Sequence, residues 1–180
     1  MTNQEAVNLF NNEMKWRLTG KYELDWETDN KGVTVGWCRL ENPEDIFRVA
    51  ESVNGMHGRV MTISPLVTAV NEKNEHVEIN YHFYFNGVNC TARIILPTDD
   101  RKIVSITPVL KSADWHEREM SELYKIEVKG HPNPNKLFLD ESINMTENTM
   151  IPLSEAMSGA STSTLWEKIM QSNSKGGGKE

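Results

Sequence analysis

The sequence contains only two cysteines, Cys38 and Cys90, in 180 residues. Two cysteines so far apart are too few for this chain alone to supply a zinc or iron–sulfur site. Both fall in segments with strand-like patterns, where a reduced, buried thiol serves as a small hydrophobe. We therefore expect no metal in this chain and a reducing compartment.

The sequence also lacks a long apolar run and an excess of basic residues. No stretch of about 18 apolar residues exists to span a bilayer, and the first residues lack the features of a signal peptide. The net charge of −7 and the pI of about 5.3 argue against nucleic acid as a partner. Any association with a membrane is therefore expected to come only through a partner.

The pattern along the chain predicts an α+β fold. A helical stripe covers residues 3–18, and alternating patterns at 22–27 and 33–38 predict a hairpin. Asn42-Pro43-Glu44-Asp45 predicts the start of a second helix that ends at Asn54-Gly55. Strands follow at 59–70, broken near Pro65, at 76–85, at 88–96 and, briefly, at 103–106. The order predicts a mostly antiparallel sheet covered on one face by helices.

The composition changes after about residue 140. Asn, Thr, Ser and Met dominate there, apolar residues are sparse, and the chain ends in a glycine-rich segment. Such a stretch does not build a core of its own. We therefore predict an α+β domain over residues 1–140 and an extension over 141–180 that lies on a partner or is flexible.

Residues 112–139 carry the densest functional pattern. The triplet Glu117-Arg118-Glu119 lies on a short predicted helix, and Gly130-His131-Pro132 predicts a turn after it. Asp114 and Glu117 have capping-box spacing, and Asp114 and Arg118 have the favourable order for an ion pair. We expect Trp115, Glu119 and Glu122 on an outward face. An indole beside acids and arginine is typical of an interface anchor.

Two other interpretations of this segment remain open. A solvated, salt-bridged helix would explain any single charge equally well. An enzyme, metal-dependent or acting by acid and base, could use His116, Glu117 and His131. However, Met120 stands where a zinc-protease helix would need its second histidine.

The same segment resembles the respiratory complex I 30-kDa subunit family. The shared motifs are Ser105-Ile106-Thr107-Pro108, Ala113 through Glu119, Glu122-Leu123-Tyr124, Ile126 and Gly130-His131-Pro132. Three features depart from the family pattern: Lys125 in place of glycine, a single Lys136 after Asn135, and no Pro-Leu-Arg-Lys element. These departures resemble the branch that serves membrane-bound nickel–iron hydrogenases and related ferredoxin-driven complexes.

The resemblance implies a cofactor-free assembly subunit in the hydrophilic arm of a membrane-bound redox complex, peripheral at the cytoplasmic face of the cell membrane. Its partners would be a catalytic large subunit and a small iron–sulfur subunit, with iron–sulfur clusters and, in the hydrogenase branch, a nickel–iron centre held by those chains. No catalytic, cofactor-binding or metal residue is expected here. The residues predicted to meet partners are Trp115, Glu117, Arg118, Glu119, Glu122, His131, Pro132 and Lys136.

Overall fold

The computed structural model describes residues 2–69, 75–97 and 99–138, so the predicted extension 141–180 lies outside the described residues. Three α-helices, one 3₁₀ turn and seven strands make up this part of the chain. In order, the α-helices and strands are α1 (Asn3–Arg17), β1 (Tyr22–Thr28), β2 (Thr34–Leu40), α2 (Asp45–Gly55), β3 (Arg59–Ala69), β4 (Glu75–Phe85), β5 (Val88–Pro97), β6 (Lys102–Val104), α3 (Asp114–Tyr124) and β7 (Glu127–Lys129).

Five strands form one sheet in the order β1-β2-β5-β4-β3. Three neighbouring pairs are antiparallel, which confirms the predicted α+β fold, but β2 and β5 run parallel. The predicted break at Pro65 is wrong, because Pro65 pairs in register with Ile79. Proline is tolerated there since β3 is an edge strand and needs no outward donor. The pairing register of β3 with β4 shifts instead between Val60 and Thr62.

The turn between β4 and β5 follows directly from its two residues. Asn86 and Gly87 have φ values of 46° and 83°. Positive φ at both central positions is what a two-residue hairpin with the right twist requires, and Asn-Gly is the preferred pair. The predicted hairpin is confirmed.

One face of the large sheet forms the core. Alternate residues of β4 and β5 are buried there, with the largest side chains at Tyr81, Phe83 and Phe85. Cys38 and Cys90 are free and buried in the same layer, as predicted. Burial, and to a lesser extent the Asp45 carboxylate, raises the pKa of Cys38 to about 12. The thiol is therefore protonated and inert at neutral pH.

Helix α2 is tied to the end of α1 by Asp45. Its buried carboxylate accepts hydrogen bonds from the Thr19 amide at 3.0 Å, the Thr19 hydroxyl at 2.8 Å and the Gly20 amide at 2.8 Å. Asn42 Oδ1 accepts from the Glu44 amide at 3.2 Å, just before the helix begins. The short polar segment that predicts the start of α2 therefore also joins the two helices.

Gly36 lies against the indole of Trp26, and we expect Gly36→Ala to destabilise the chain by about 1–3 kcal/mol. A Cβ at this position would lie 2.5 Å from two ring atoms. The ring cannot easily move, because it packs edge-on against Phe10 and its Nε1 donates to Asn11 Oδ1 at 2.9 Å. Gly55→Ala is the matched control, since its Cβ would meet nothing within 4 Å. Urea unfolding of both variants tests this, and equal midpoints would contradict it.

A second, two-stranded sheet leads the chain to α3. Strands β6 and β7 pair in parallel, a pairing that the sequence did not predict. The Ser105 amide donates to the Lys129 carbonyl at 2.8 Å, and the Glu127 amide donates to the Arg101 carbonyl at 2.8 Å. These pairings hold the chain that enters α3, at Ser105, next to the chain that leaves it, at Lys129.

Candidate functional site

Helix α3 begins differently from the prediction. A 3₁₀ turn over Lys111–Ala113 continues into the α-helix, and the cap residue Ala113 makes no side-chain capping bond. The predicted capping box of Asp114 and Glu117 is wrong. Asp114 is the first residue of the helix itself, and the Glu117 carboxylate points into the protein.

Glu117 is fully buried and binds the loop that precedes the helix. The hydroxyls of Ser105 and Thr107 each donate to its Oε2 at 2.6 Å. The Ile106 amide donates to its Oε1 at 2.7 Å. A buried carboxylate is tolerated when several donors take the place of water. Glu117 therefore holds residues 105–107 against α3 and is not exposed for direct contact with another protein.

The His131 side chain is the second buried group of this cluster, with only 2% exposed. Its Nε2 lies 3.3 Å from Thr107 Oγ1, 3.4 Å from Asp114 Oδ1 and 3.6 Å from Glu117 Oε2. Its Nδ1 accepts the Asn133 amide at 3.0 Å. An accepting Nδ1 carries no proton, so the neutral ring has its proton on Nε2, facing these oxygens.

Tyr81 borders the same cluster from the sheet. Its side chain is fully buried, and its hydroxyl has no hydrogen-bond partner within the described residues. Burial, followed by the nearby Glu117 carboxylate, raises the pKa of Tyr81 well above its ordinary value. The phenol stays neutral, which limits the negative charge in the cluster to the carboxylates.

Arg118 binds backbone rather than the predicted Asp114. Its Nε donates to the Asn135 carbonyl at 2.9 Å and its Nη2 to the Lys136 carbonyl at 3.0 Å. The planar guanidinium suits two acceptors on neighbouring residues. The expected ion pair with Asp114 is thus replaced by a clamp on the segment that follows the Gly-His-Pro turn.

Glu122 completes the attachment one turn further along α3. Its carboxylate accepts the Leu137 amide at 2.7 Å and the Phe138 amide at 3.0 Å. Its exposure is only 7%, so the predicted outward position is wrong for this residue. Residues 130–138, here called the ribbon, therefore lie along α3. They are held by His131 at Thr107, then by Arg118 and then by Glu122.

The remaining predicted interface residues stay accessible. Trp115 is 62% exposed, Pro132 and Lys136 are exposed, and Glu119 is half-buried. Phe138, which the sequence did not single out for a role, is 59% exposed at the end of the ribbon. Trp115, Pro132, Lys136 and Phe138 are together called the docking face, after the partner contacts that the sequence predicts for the first three. Ser105 and Thr107, the polar partners of Glu117, were visible only as part of the family motif.

The structure brings Glu117 and His131 together, as an acid/base enzyme would need, but in the interior. The Glu117 carboxylate is saturated with donors and has no exposed surface. Over the described ranges 2–69, 75–97 and 99–138, no group of three or more His, Cys, Asp or Glu side chains could hold a metal ion. The arrangement is that of a structural cluster.

Comparison with known proteins decides the family. The family model described as "Respiratory-chain NADH dehydrogenase, 30 Kd subunit" matches residues 41–163, which is more than half of the chain. The chain belongs to this family. The resemblance predicted from the charged helix and the Gly-His-Pro turn is confirmed, and the match continues past residue 140.

Individual relatives agree with the family match. An NADH-quinone oxidoreductase subunit of Rhodopseudomonas palustris (strain TIE-1) is 37% identical over 115 residues, which is 61% of this chain and 56% of the relative. The subunit of the same name from Caulobacter sp. (strain K31) is 34% identical over 70 residues, or 38% of this chain and 33% of the relative. The chain thus spans between a third and a little over half of these relatives.

A solved structure shares the fold. A chain of the membrane-bound sulfane sulfur reductase, an archaeal respiratory membrane complex, superposes with a TM-score of 0.54 at 10% identity. The match covers 77% of this chain and 79% of that chain. Among the residues that the structure describes, no helix has the length and apolar character to cross a membrane.

Lys125 stands where the family pattern has glycine. We expect Lys125→Gly to stabilise the chain by about 1 kcal/mol. Lys125 caps the end of α3 with φ 55° and ψ 40°, the left-handed region in which glycine has no steric cost. Lys125→Ala is the control, because it removes the charge and keeps the Cβ. Thermal unfolding should separate the two variants, and equal melting temperatures would contradict the assignment.

Removing Glu122 should free the end of the ribbon. In Glu122→Ala, we expect hydrogen exchange at the Leu137 and Phe138 amides to accelerate by about tenfold or more, because both lose their acceptor. Glu119→Ala changes a half-buried acid on the same helix and should leave both amides unchanged. Residue-resolved exchange by NMR measures this. Unchanged protection in Glu122→Ala would show that the ribbon is held by other contacts.

Proposed function

We propose that this chain is a cofactor-free assembly subunit in the hydrophilic arm of a membrane-bound respiratory complex. In this proposal it docks against the catalytic large subunit through the docking face, and it takes no direct part in electron transfer. Family membership supports the setting. The arrangement of α3 and the ribbon supports the role.

One observation carries the docking role. Three charged side chains of α3 that the sequence offers to a partner are used inside the chain: Glu117 holds residues 105–107, and Arg118 and Glu122 hold the ribbon. Holding the ribbon in place leaves Trp115 and Phe138 projecting from a pre-shaped surface. Large aromatic side chains on an ordered surface are the residue types that dominate binding energy, and pre-organisation lowers the entropy lost on association.

The proposal assigns the redox groups to other chains. Cys38 and Cys90 lie buried in the sheet, and burial raises the pKa of both thiols, so neither offers a thiolate to a cluster. Iron–sulfur clusters would be held by a small subunit and by the large subunit. A nickel–iron centre would be added if the complex is of the hydrogenase branch, for which Lys125 and the single Lys136 argue.

The location follows from the same proposal. The chain would be peripheral at the cytoplasmic face of the membrane and would be attached there only through its partners. A surface of net charge −7 does not favour direct contact with an anionic bilayer. Coupling to ion translocation would belong to the membrane subunits.

The experiment is purification of the tagged full chain from its native membranes, with native gel electrophoresis, subunit identification and metal analysis. We expect the chain to migrate in a large complex with stoichiometric iron–sulfur subunits. The chain expressed alone should contain no stoichiometric metal. Migration as a free monomer from native membranes, or a tightly bound metal in the isolated chain, would contradict the proposal.

A further inference from the structure

Exposed lysines lie beside the docking face although the whole chain is acidic. The chain carries a net charge of −7. Three lysines, Lys111, Lys125 and Lys136, are nevertheless exposed around α3 and the ribbon. Within the described residues none of the three takes part in an ion pair.

Only two of the four acids of α3 stay partly exposed beside these lysines. Glu117 and Glu122 are buried and bind donors within the chain. Asp114 and Glu119 are half-buried, and Asp114 Oδ1 faces His131 at 3.4 Å. The folding of the helix thus withdraws two of its four carboxylates and leaves the lysines in solvent.

The three lysines lie in the same stretch of chain as Trp115 and Phe138. Lys111 begins the 3₁₀ turn that leads into α3, and Trp115 is the second residue of that helix. Lys136 is held by Arg118 through its carbonyl, two residues before Phe138. Lys125 caps the helix one turn after Glu122, the residue that binds the Phe138 amide. Exposed cations therefore lie at both ends of α3 and on the ribbon, the elements that carry Trp115 and Phe138.

We propose that the docking face binds an acidic surface of a partner protein, in which Asp and Glu side chains surround an apolar recess for Trp115 and Phe138. This inference rests on the proposed function and adds the chemistry of the partner surface. Complementary charge around an apolar centre steers association and selects the partner, while the aromatic side chains supply most of the affinity.

A protein surface suits these features better than an anionic membrane does. The ribbon is fixed to α3 by four hydrogen bonds, two from Arg118 and two to Glu122, and a fixed shape is what a complementary protein surface uses. An anionic bilayer extends well beyond the docking face and would repel the acidic rest of the chain, whereas an acidic patch on a protein can be confined to that face. Both arguments favour a folded protein over a membrane.

The test is zero-length carbodiimide crosslinking of the native complex, followed by mass spectrometry. This reagent joins a lysine amine only to a carboxylate in contact with it. We expect links from Lys111, Lys125 or Lys136 to Asp or Glu of another subunit. Lys31, exposed in the turn between β1 and β2, is the control and should give none.

A second measurement uses charge reversal. Lys111→Glu combined with Lys136→Glu should slow association of the full chain with the complex stripped of this subunit by roughly tenfold at low salt. Lys31→Glu should have no effect. The difference between the variants should shrink as salt is raised, because the Debye length falls to about 3 Å at 1 M.

The outcomes separate this inference from the proposed function. If Trp115→Ala weakens assembly but no links form from the three lysines and charge reversal has no effect, the acidic partner is wrong and the docking role stands. If Trp115→Ala has no effect either, the docking face itself is wrong. Links to carboxylates of a second copy of this chain would also overturn the inference. Binding of the isolated chain to vesicles of anionic phospholipid, absent with neutral vesicles, would overturn it in favour of a lipid surface.

Discussion

Glu117→Ala is expected to destabilise the full chain by about 3–5 kcal/mol, the largest effect on stability that the structure predicts. The substitution removes the acceptor of three buried donors, the hydroxyls of Ser105 and Thr107 and the amide of Ile106. Each buried donor left without a partner costs about 1–3 kcal/mol. A cavity beside Tyr81 adds to the loss.

Glu117→Gln is the matched control for this prediction. The amide keeps the size of the side chain and one acceptor for the Ile106 amide. The two hydroxyls can rotate to accept from its NH₂ group, so the loss should be less than half of that in Glu117→Ala. Urea unfolding of the two variants and the wild-type chain measures the difference. A loss below about 1 kcal/mol in Glu117→Ala would show that the cluster does not hold the fold together.

The double substitution Trp115→Ala, Phe138→Ala is expected to leave the fold intact and to weaken assembly by about 2–4 kcal/mol, or roughly 30-fold or more in affinity. Both side chains are more than half exposed in the isolated chain, so their removal costs little in the monomer. On the partner they would be buried, and truncation would then leave an unfilled recess. The effect should appear mainly in the dissociation rate.

Trp16→Ala is the control for that experiment. Trp16 is 89% exposed on α1, so it matches Trp115 in residue type and exceeds it in exposure. The measurement is the fraction of full-length chain in the complex on native gels, together with circular dichroism of each isolated variant. If the double variant and Trp16→Ala assemble equally well, the docking face does not contribute to assembly.

The sequence predicted those parts of the fold that depend on local rules. Side-chain periodicity located the helices and the first six strands to within a few residues, but it did not predict β7. The Asn86-Gly87 pair determined its turn, because only residues that tolerate positive φ fit there. Parallel pairing of β2 with β5 and of β6 with β7 could not be predicted, since it depends on contacts between segments far apart in sequence. The predicted break at Pro65 was wrong because the sequence of one strand does not show whether that strand lies at the edge or in the centre of the sheet.

The dense charges of α3 and the Gly-His-Pro turn were visible in the sequence, but the contacts that these charges make were not. The sequence could not show that Glu117 and Glu122 turn inward, because their partners are backbone amides and two hydroxyls. Such donors leave no charge pattern in a sequence. The prediction of partner contacts for the exposed Trp115, Pro132 and Lys136 stays a prediction.

The most direct test of the docking role is hydroxyl-radical footprinting of tryptophan in the free chain and in the assembled complex. Trp16, Trp37 and Trp115 are all exposed at 43% or more in the free chain, so each reports on its own surface. We predict that oxidation of Trp115 falls strongly on assembly, while that of Trp16 changes far less. If Trp115 is oxidised in the complex as rapidly as in the free chain, the docking role of this surface is wrong.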